Sequence, residues 1–193
     1  MDYTITHKYQ LFCIFGGLKK LGHSKFKCIT MAKSKELSFQ YKEFERIEDL
    51  PLELKDLAKK AKEALTTSYS PYSEFAVGAA VLLDNSEIVL GSNQENGAYP
   101  SGLCAERVAL FYASSQFPGV EVKAMAVAAS FKGTPIAEPV SPCGACRQVM
   151  IETQNLGGRP YTIVMVGEKR IIVLDDAKFL LPFTFSSVKE ATK

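Results

Sequence analysis

Three cysteines lie in two short segments whose spacing suits a single metal ion. Cys104 belongs to the run Cys-Ala-Glu-Arg, and Cys143 and Cys146 belong to the run Pro-Cys-Gly-Ala-Cys-Arg. Apolar residues at helical spacing follow both runs, so each run is predicted to open a helix, where the positive helix end favours a thiolate. Three sulfur ligands without a fourth protein ligand are typical of a catalytic zinc site that keeps one position open.

Glu106 is the carboxylate of the first run. Positions two apart on a helix do not share a face, so we do not expect Glu106 to be a ligand beside Cys104. Its longer side chain could still reach the open position. Water held there would be acidified by the metal, which makes Glu106 the natural proton carrier.

Arg107 and Arg147 directly follow the two predicted ligand-bearing turns. Three thiolates and Zn²⁺ carry a net negative charge, and such strong sulfur donation weakens the effect of the metal on water. Positive groups that hydrogen-bond to the sulfurs would offset it, and both arginines are candidates. A surface or inter-subunit salt bridge is the alternative for either side chain.

The composition favours one globular domain and excludes an electrostatic nucleic-acid binder. Of 193 residues, 47% are hydrophobic and 23% are charged, as is usual for a soluble domain. Residues 1–30 hold five lysines and one acidic residue, so the rest of the chain has 18 basic and 20 acidic side chains. This acidic body lacks the footprint that a phosphate backbone requires. Five cysteines, three at metal-ligand spacing, favour a reducing compartment over disulfides, and we expect the cytoplasm.

The first part of the chain is predicted to lie outside the fold. The apolar run at residues 11–18 is too short to cross a bilayer, and no clear secretory signal is present. Residues 1–35 are therefore expected to be a poorly ordered N-terminal extension, and residues 36–193 the folded domain, with no membrane partner. Targeting is the alternative for this basic, acid-poor segment. Cys13 and Cys28 are expected to be unpaired peripheral thiols.

Strands alternate with helices along the rest of the chain, which predicts an α/β domain. Besides the two metal-site helices, a helix is expected at residues 48–66, starting near Asp49 and Pro51, and a short one at residues 175–181. A Gly-Gly pair at residues 157–158 is a helix stop signal. The predicted strands cover residues 75–83, 87–92, 122–130, 161–166 and 171–174.

The paired runs resemble the zinc-dependent cytidine deaminases, whose signature joins a ligand-x-Glu run to Pro-Cys-x-x-Cys. A cysteine at the first ligand position is similar to the small homotetrameric class, and the resemblance extends from about Tyr69 to Ser186. The only histidines, His7 and His23, lie far upstream. The resemblance implies a three-layer α/β/α fold with a mixed central sheet of about five strands. It also implies one Zn²⁺ per subunit, held by the three cysteines, and a homotetramer whose active sites are completed by neighbouring subunits.

The activity implied by the resemblance is hydrolytic deamination of cytidine and deoxycytidine to uridine and deoxyuridine, with release of ammonia, as in pyrimidine salvage. Zinc-activated water would attack C4 of cytosine while Glu106 moves the protons. The partner would then be a small nucleoside. The alternatives are a deaminase of a related aminated nucleoside or of nucleic-acid cytosines, and a non-catalytic zinc-binding module.

The resemblance also implies a set of substrate contacts. Asn93 and Glu95 match a pair that holds the ribose hydroxyls. A carboxylate suits a vicinal diol and repels a phosphate, which favours a nucleoside over a nucleotide. Taken alone, these two residues would be ordinary loop residues.

Aromatic contacts are implied on both sides of the base. The residue at position 75 would pack against the pyrimidine, and the residue at position 185 would reach over a site, commonly that of a neighbouring subunit. Without the resemblance, both would be assigned to the core or to an interface. The implied substrate contacts besides the ribose pair are Phe75, Tyr99, Ala105 and Phe185.

Overall fold

The computed structural model describes residues 34–186, and the chain divides into two units, Met1–Phe39 and Gln40–Lys193. Of the first unit, residues 34–39 are described; they are exposed and have no regular secondary structure. The predicted extension up to residue 33, with its apolar run, two cysteines and both histidines, lies outside the described residues. No helix within residues 34–186 has the length and apolar character of a membrane span.

The second unit is an α/β domain that contains three α-helices and seven strands within the described residues. The helices are α1 (Leu52–Ala64), α2 (Ala105–Gln116) and α3 (Gly144–Gly157). The strands are β1 (Lys42–Phe44), β2 (Phe75–Leu83), β3 (Ile88–Ser92), β4 (Val122–Phe131), β5 (Thr134–Pro135), β6 (Thr162–Val166) and β7 (Ile171–Leu174). Short 3₁₀ turns occur at Ile47–Asp49, Leu65–Thr67, Tyr99–Ser101 and Ala177–Leu180.

All seven strands belong to one mixed sheet with the order β1-β7-β6-β4-β2-β3, and β5 pairs with β4. Only β4 and β6 are parallel among these pairs, and α3 provides the crossover that a parallel pair requires. The five strands expected from the sequence correspond to β2, β3, β4, β6 and β7. The structure adds β1 and β5, which have three and two residues and are too short to show an alternating pattern.

The helices cover both faces of the sheet, which confirms the three-layer α/β/α arrangement. Successive residues of a strand point to opposite faces. Val81 and Met125 accordingly pack in the core beneath α2 and α3. Leu82 and Ala126 pack in a second core beneath α1. The two metal-site helices therefore lie on the same side of the sheet.

The structure corrects two predicted helix boundaries. Helix α1 begins at Leu52 and not at residue 48, because Asp49 belongs to a 3₁₀ turn in which its carboxylate pairs with Arg46. The final segment is a 3₁₀ turn at Ala177–Leu180, capped by the side chain of Asp176. The glycine stop signal is confirmed, since α3 ends at Gly157 and Gly158 has a left-handed φ of 74°.

Gly91 sets the distance between α2 and the sheet. A Cβ atom at this position would lie 2.5 Å from the amide nitrogen of Ala109 and 2.6 Å from the carbonyl oxygen of Ala105. The backbones of β3 and α2 are therefore in direct contact, and any larger residue would push the helix away. Since the first turn of α2 carries Glu106 and follows Cys104, this contact also positions the candidate site.

We predict that Gly91→Ala lowers the free energy of unfolding by about 1–3 kcal/mol, the usual cost of overpacking, and weakens zinc binding because α2 moves. Gly157→Ala is the matched control, since its Cβ would meet only the Glu121 side chain at 3.6 Å. Urea denaturation and zinc titration of both variants measure the effects. A Gly91→Ala protein as stable and as tightly zinc-binding as the control would contradict this role for Gly91.

Candidate metal centre and substrate cleft

The starts of α2 and α3 bring the three predicted ligands together. Cys104 is the residue before the first turn of α2, Cys143 is the residue before the first turn of α3, and Cys146 lies within that turn. The Sγ atoms of Cys104 and Cys143 are 3.8 Å apart, and those of Cys143 and Cys146 are 3.3 Å apart. All three sulfurs lie within 4.8 Å of one another.

This sulfur geometry fits a tetrahedral zinc ion. With Zn–S bonds of about 2.3 Å, two tetrahedral ligands should be separated by about 3.8 Å. The observed separations fall around that value. Within residues 34–186, no fourth histidine, cysteine or acidic side chain joins the group. The donor set is therefore three sulfurs, which leaves one tetrahedral position for a non-protein ligand.

The charge balance of the thiols also favours a divalent cation. Hydrogen bonds from Cys146, Arg107 and Cys143 lower the pKa of the Cys104 thiol to about 5. The pKa of the Cys146 thiol is raised, because Cys146 interacts with Cys104 and is buried. The cluster thus accepts one negative charge readily and resists another. A divalent cation would offset the repulsion among three thiolates, in addition to the guanidinium of Arg107, whose Nη2 lies 3.5 Å from Cys104 Sγ.

Glu106 lies in the first turn of α2 and is 4% exposed. Burial, reinforced by the charge of Cys104, raises the pKa of its carboxyl group, and the side chain of Cys146 interacts with it. A buried carboxyl group of this kind can hold a proton closer to neutral pH than an exposed one. A divalent cation bound by the sulfurs would shift its pKa in the opposite direction. Glu106 is thus placed to exchange protons beside the cluster.

Arg147 is placed differently from the sulfur-bonding role suggested by the sequence. Its Nε donates to the carbonyl of Pro142 at 2.8 Å, its Nη2 to Ser141 Oγ at 2.8 Å and its Nη1 to the carbonyl of Leu180 at 3.0 Å. These bonds use three of the five N–H donors of the guanidinium. Arg147 instead fixes the segment that leads into Cys143.

One cleft of about 530 Å³ joins the metal cluster to the predicted ribose pair. Cys104 and Arg107 line this cleft together with Asn93 and Glu95. The remaining lining residues are Tyr72, Ser73, Gln94, Asn96, Tyr99, Gly102 and Leu103. A larger surface groove of about 790 Å³ is lined by charged residues such as Glu43, Glu138 and Arg170 and holds none of the cysteines. Its charges pair with one another, so we assign no ligand to it.

The Asn93 amide is held by the surrounding backbone. Its Oδ1 accepts hydrogen bonds from Ser68 Oγ at 2.6 Å and from the Val77 amide at 2.7 Å. Its Nδ2 donates to the Phe75 carbonyl at 2.9 Å. Both lone pairs of the oxygen are thus used, and one amide hydrogen remains for a ligand. Asn93 can act toward a ligand as a donor in a fixed position.

The Glu95 carboxylate is held from one side. Its Oε2 accepts the backbone N–H groups of Tyr72 at 2.9 Å and Ser73 at 3.2 Å. The Ser73 side chain, followed by these N–H groups, lowers the pKa of the Glu95 carboxyl group. The group is therefore ionised at neutral pH and keeps acceptor positions for ligand hydroxyls.

The other predicted contacts have different positions. Tyr99 is 77% exposed, lines the cleft and packs edge-on against Tyr72, with ring centroids 6.1 Å apart. Ala105 is fully buried, so only its backbone could face a ligand. Phe75 is half-buried and is not among the described lining residues. Phe185 is 79% exposed, and its carbonyl accepts a bond from Gln148 Nε2 at 2.9 Å.

Sequence reasoning missed Tyr72 and Ser73, which lie in the turn before β2. Their contribution to the cleft includes backbone N–H groups, which every non-proline residue carries. Serine, proline and tyrosine residues in this segment indicate a turn and do not specify a ligand contact. The two N–H groups point at Glu95 only because of the folded backbone conformation, which residue types do not indicate.

Comparison with known proteins identifies the class to which this fold and site belong. Residues 52–157 match the family described as the cytidine and deoxycytidylate deaminase zinc-binding region. The chain belongs to this family, and its three clustered thiols form a zinc site with one Zn²⁺ per subunit. The family resemblance and the zinc cofactor inferred from the sequence are confirmed.

Individual relatives extend the similarity to whole proteins. The chain is 43% identical over 136 residues to a cytidine deaminase of Sporosarcina psychrophila, covering 70% of this chain and 93% of the relative. It is 40% identical over 131 residues to a cytidine deaminase of Halalkalibacterium halodurans, covering 68% of this chain and 92% of that relative. A crystal structure of cytidine deaminase from Burkholderia pseudomallei is 40% identical and has a TM-score of 0.58, covering 67% of this chain and 97% of that one.

We predict that the purified protein contains one zinc per chain and that Cys104→Ala, Cys143→Ala and Cys146→Ala each lose zinc. Removing a residue that only hydrogen-bonds to a metal ligand typically weakens metal binding by roughly 10–100-fold. The loss in zinc affinity should be larger here, because each variant removes a ligand itself. Cys28→Ala, outside the predicted ligand set, is the matched control and should keep its zinc. Metal analysis after dialysis against a chelator measures the difference. Full zinc retention by any of the three ligand variants would exclude that cysteine as a ligand.

Proposed function

We propose that this protein is a zinc-dependent cytidine deaminase, which converts cytidine and deoxycytidine to uridine and deoxyuridine with release of ammonia. The observation that carries this proposal is the shared cleft, in which Cys104 of the zinc site and the Asn93–Glu95 pair line one cavity. A nucleoside needs a ribose end and a base end, and the cleft offers suitable chemistry at both. The relatives that match over 93% and 92% of their lengths are themselves named cytidine deaminases.

Zinc, when bound, supplies a Lewis acid that lowers the pKa of a coordinated water molecule. Glu106 accepts a proton from the attacking water and delivers it to N3 of the pyrimidine. It then carries a second proton to the amine at C4, which leaves as ammonia. One water is consumed and one ammonia released for each nucleoside. Its position in the first turn of α2, beside Cys104, supports this role.

The burial of Glu106 supports its double task as base and acid. Efficient proton transfer requires a pKa near the working pH. Burial raises the pKa of Glu106, and a divalent cation held by the three sulfurs would lower it. These opposing effects bring a carboxyl group toward the range in which it can both accept and donate.

The ribose end of the cleft supports a nucleoside substrate over a nucleotide. The ionised Glu95 carboxylate can accept hydrogen bonds from sugar hydroxyls, and the fixed Asn93 amide can donate one. A neighbouring phosphate would be repelled by the same carboxylate.

The alternatives have less support. A structural zinc module normally supplies four protein ligands, and the cluster in the described residues supplies three. A nucleic-acid deaminase would need a positively charged groove, whereas residues 31–193 carry 18 basic and 20 acidic side chains. A related aminated nucleoside would occupy the same cleft, so only a substrate panel distinguishes it from cytidine.

We also propose a homotetramer in which neighbouring subunits complete the sites. Support comes from exposed aromatic side chains, which are 79–90% exposed at Phe185 and Phe183 and about half exposed at Phe111 and Tyr112 of α2. Exposed aromatic residues of this number commonly mark interfaces. Reduced thiol ligands also suit the cytoplasmic location inferred from the cysteine content.

We predict that Glu106→Gln keeps one zinc per chain and loses about 10²–10⁴-fold or more in kcat, since the amide cannot carry a proton. Glu152→Gln on the exposed side of α3 is the matched control and should retain full activity. Ammonia release and metal analysis on the same samples test both. Wild-type turnover in the Glu106→Gln protein would remove Glu106 from the mechanism.

We predict turnover of cytidine and deoxycytidine, and little turnover of cytosine or cytidine monophosphate. The free base lacks the ribose contacts, and the monophosphate meets the Glu95 carboxylate. Steady-state kinetics on the four compounds measure this preference. Efficient turnover of the monophosphate would overturn the assignment of Glu95.

A further inference from the structure

The turn that precedes β2 has a backbone shape suited to holding an anion. The amide of Glu74 donates to the carbonyl of Ser70 at 3.0 Å, which closes a turn of five residues. Glu74 itself has a φ of 55°, a left-handed conformation that is uncommon for a residue with a side chain. Turns that end in this way can direct successive N–H groups to one side and form an anion-binding concavity.

In this protein the anion is the carboxylate of Glu95. The N–H groups of Tyr72 and Ser73 converge on Oε2 at 2.9 and 3.2 Å. The Ser73 hydroxyl accepts the amide of Phe75 at 3.0 Å, and the Ser73 side chain helps to lower the pKa of the Glu95 carboxyl group. Ser73 thus contributes its backbone and its hydroxyl to one site while tying the turn to the start of β2.

Neighbouring segments hold the turn and Glu95 in register. The amide of Glu95 donates to the carbonyl of Tyr69 at 2.8 Å. The amide of Lys132 donates to the carbonyl of Glu74 at 2.9 Å, and its Nζ lies 3.3 Å from a Glu74 carboxylate oxygen. The unusual backbone of Glu74 is therefore supported by Lys132, which does not line the cleft.

Glu95 needs this support because its own segment provides little. It lies between β3 and the 3₁₀ turn at Tyr99–Ser101, outside regular secondary structure. A glutamate side chain there loses rotamer freedom when it binds a ligand. Fixing one carboxylate oxygen beforehand removes part of that cost and leaves acceptor positions directed into the cleft.

We propose that Ser73 is a positioning residue that presents Glu95 to the sugar hydroxyls, so that the turn at residues 70–75 determines selectivity for a hydroxylated sugar. This proposal rests on the proposed nucleoside deaminase function and extends it to a residue that would not touch the reacting base. Its effect belongs to substrate binding, so it should appear in KM and leave kcat nearly unchanged.

The experiment compares cytidine with 2′,3′-dideoxycytidine, which lacks the 2′ and 3′ hydroxyls whose hydrogen bonds Glu95 would accept. The enzymes are wild type, Ser73→Ala, Ser73→Thr, Glu95→Ala and the double variant Ser73→Ala/Glu95→Ala. Ser115→Ala is the matched control, because the Ser115 hydroxyl bonds only the carbonyl of Tyr112 within α2. Where dideoxycytidine turnover is too slow, its inhibition constant replaces kcat/KM.

We expect Ser73→Ala to lower kcat/KM for cytidine by about fivefold, through KM, because the turn loses the hydroxyl that accepts the Phe75 amide, and one such hydrogen bond contributes about 1 kcal/mol. For 2′,3′-dideoxycytidine, the same substitution should lower kcat/KM by less than about twofold. Ser73→Thr should recover most of the cytidine activity because it keeps a hydroxyl. The double variant should be no worse than Glu95→Ala, since Ser73 acts through that carboxylate.

Equal losses for both nucleosides, or additive losses in the double variant, would overturn the positioning role. If Ser73→Ala melts below the assay temperature, Ser73→Gly removes the same hydroxyl and takes its place in the comparison. A wild-type protein that deaminates neither nucleoside would refute the proposed function itself. Cytidine turnover without a selective effect of Ser73 would refute the positioning role alone.

Discussion

The structure depends on holding three sulfur atoms together at the starts of two helices. Three thiolates repel one another. The pKa of Cys104 is lowered and that of Cys146 is raised, as expected where one negative charge opposes the next. A zinc ion, assisted by Arg107, balances that charge. Because only three described side chains contribute, the balance is reached with one position open. The same arrangement therefore explains how the metal is held and why chemistry can take place on it.

The rest of the fold holds the two helix starts in place and forms the cleft beside the sulfur atoms. Gly91 lets α2 lie against β3, and Arg147 holds the segment that leads into α3. The turn before β2 and the loop after β3 also line the cleft, and backbone groups orient Asn93 and Glu95 there. The three cysteines thus lie at the starts of two helices. Asn93 and Glu95 lie in the loop after β3, where hydrogen bonds to neighbouring backbone groups hold their side chains.

Much of this could be predicted from the sequence, and the failures have physical causes. The metal ligands were visible because cysteine chemistry depends on residue type and spacing, and the five longer strands because their apolar runs exceed the length of a turn. Strands β1 and β5 were missed because they are too short to carry a pattern. The partners of Arg147 and the N–H groups that hold Glu95 depend on backbone direction after folding. Phe185 is exposed in the single chain, so its predicted position over a substrate stays a prediction.

The central claim is that the protein supplies three sulfurs to zinc and leaves one position for a solvent ligand. Zinc X-ray absorption spectroscopy of the purified protein tests it most directly. The account predicts three sulfur scatterers at about 2.3 Å and one lighter oxygen or nitrogen scatterer at about 2.0–2.2 Å, with the lighter shell altered when a competitive nucleoside ligand binds. A shell of four sulfurs, or a lighter scatterer that no nucleoside ligand perturbs, would contradict it.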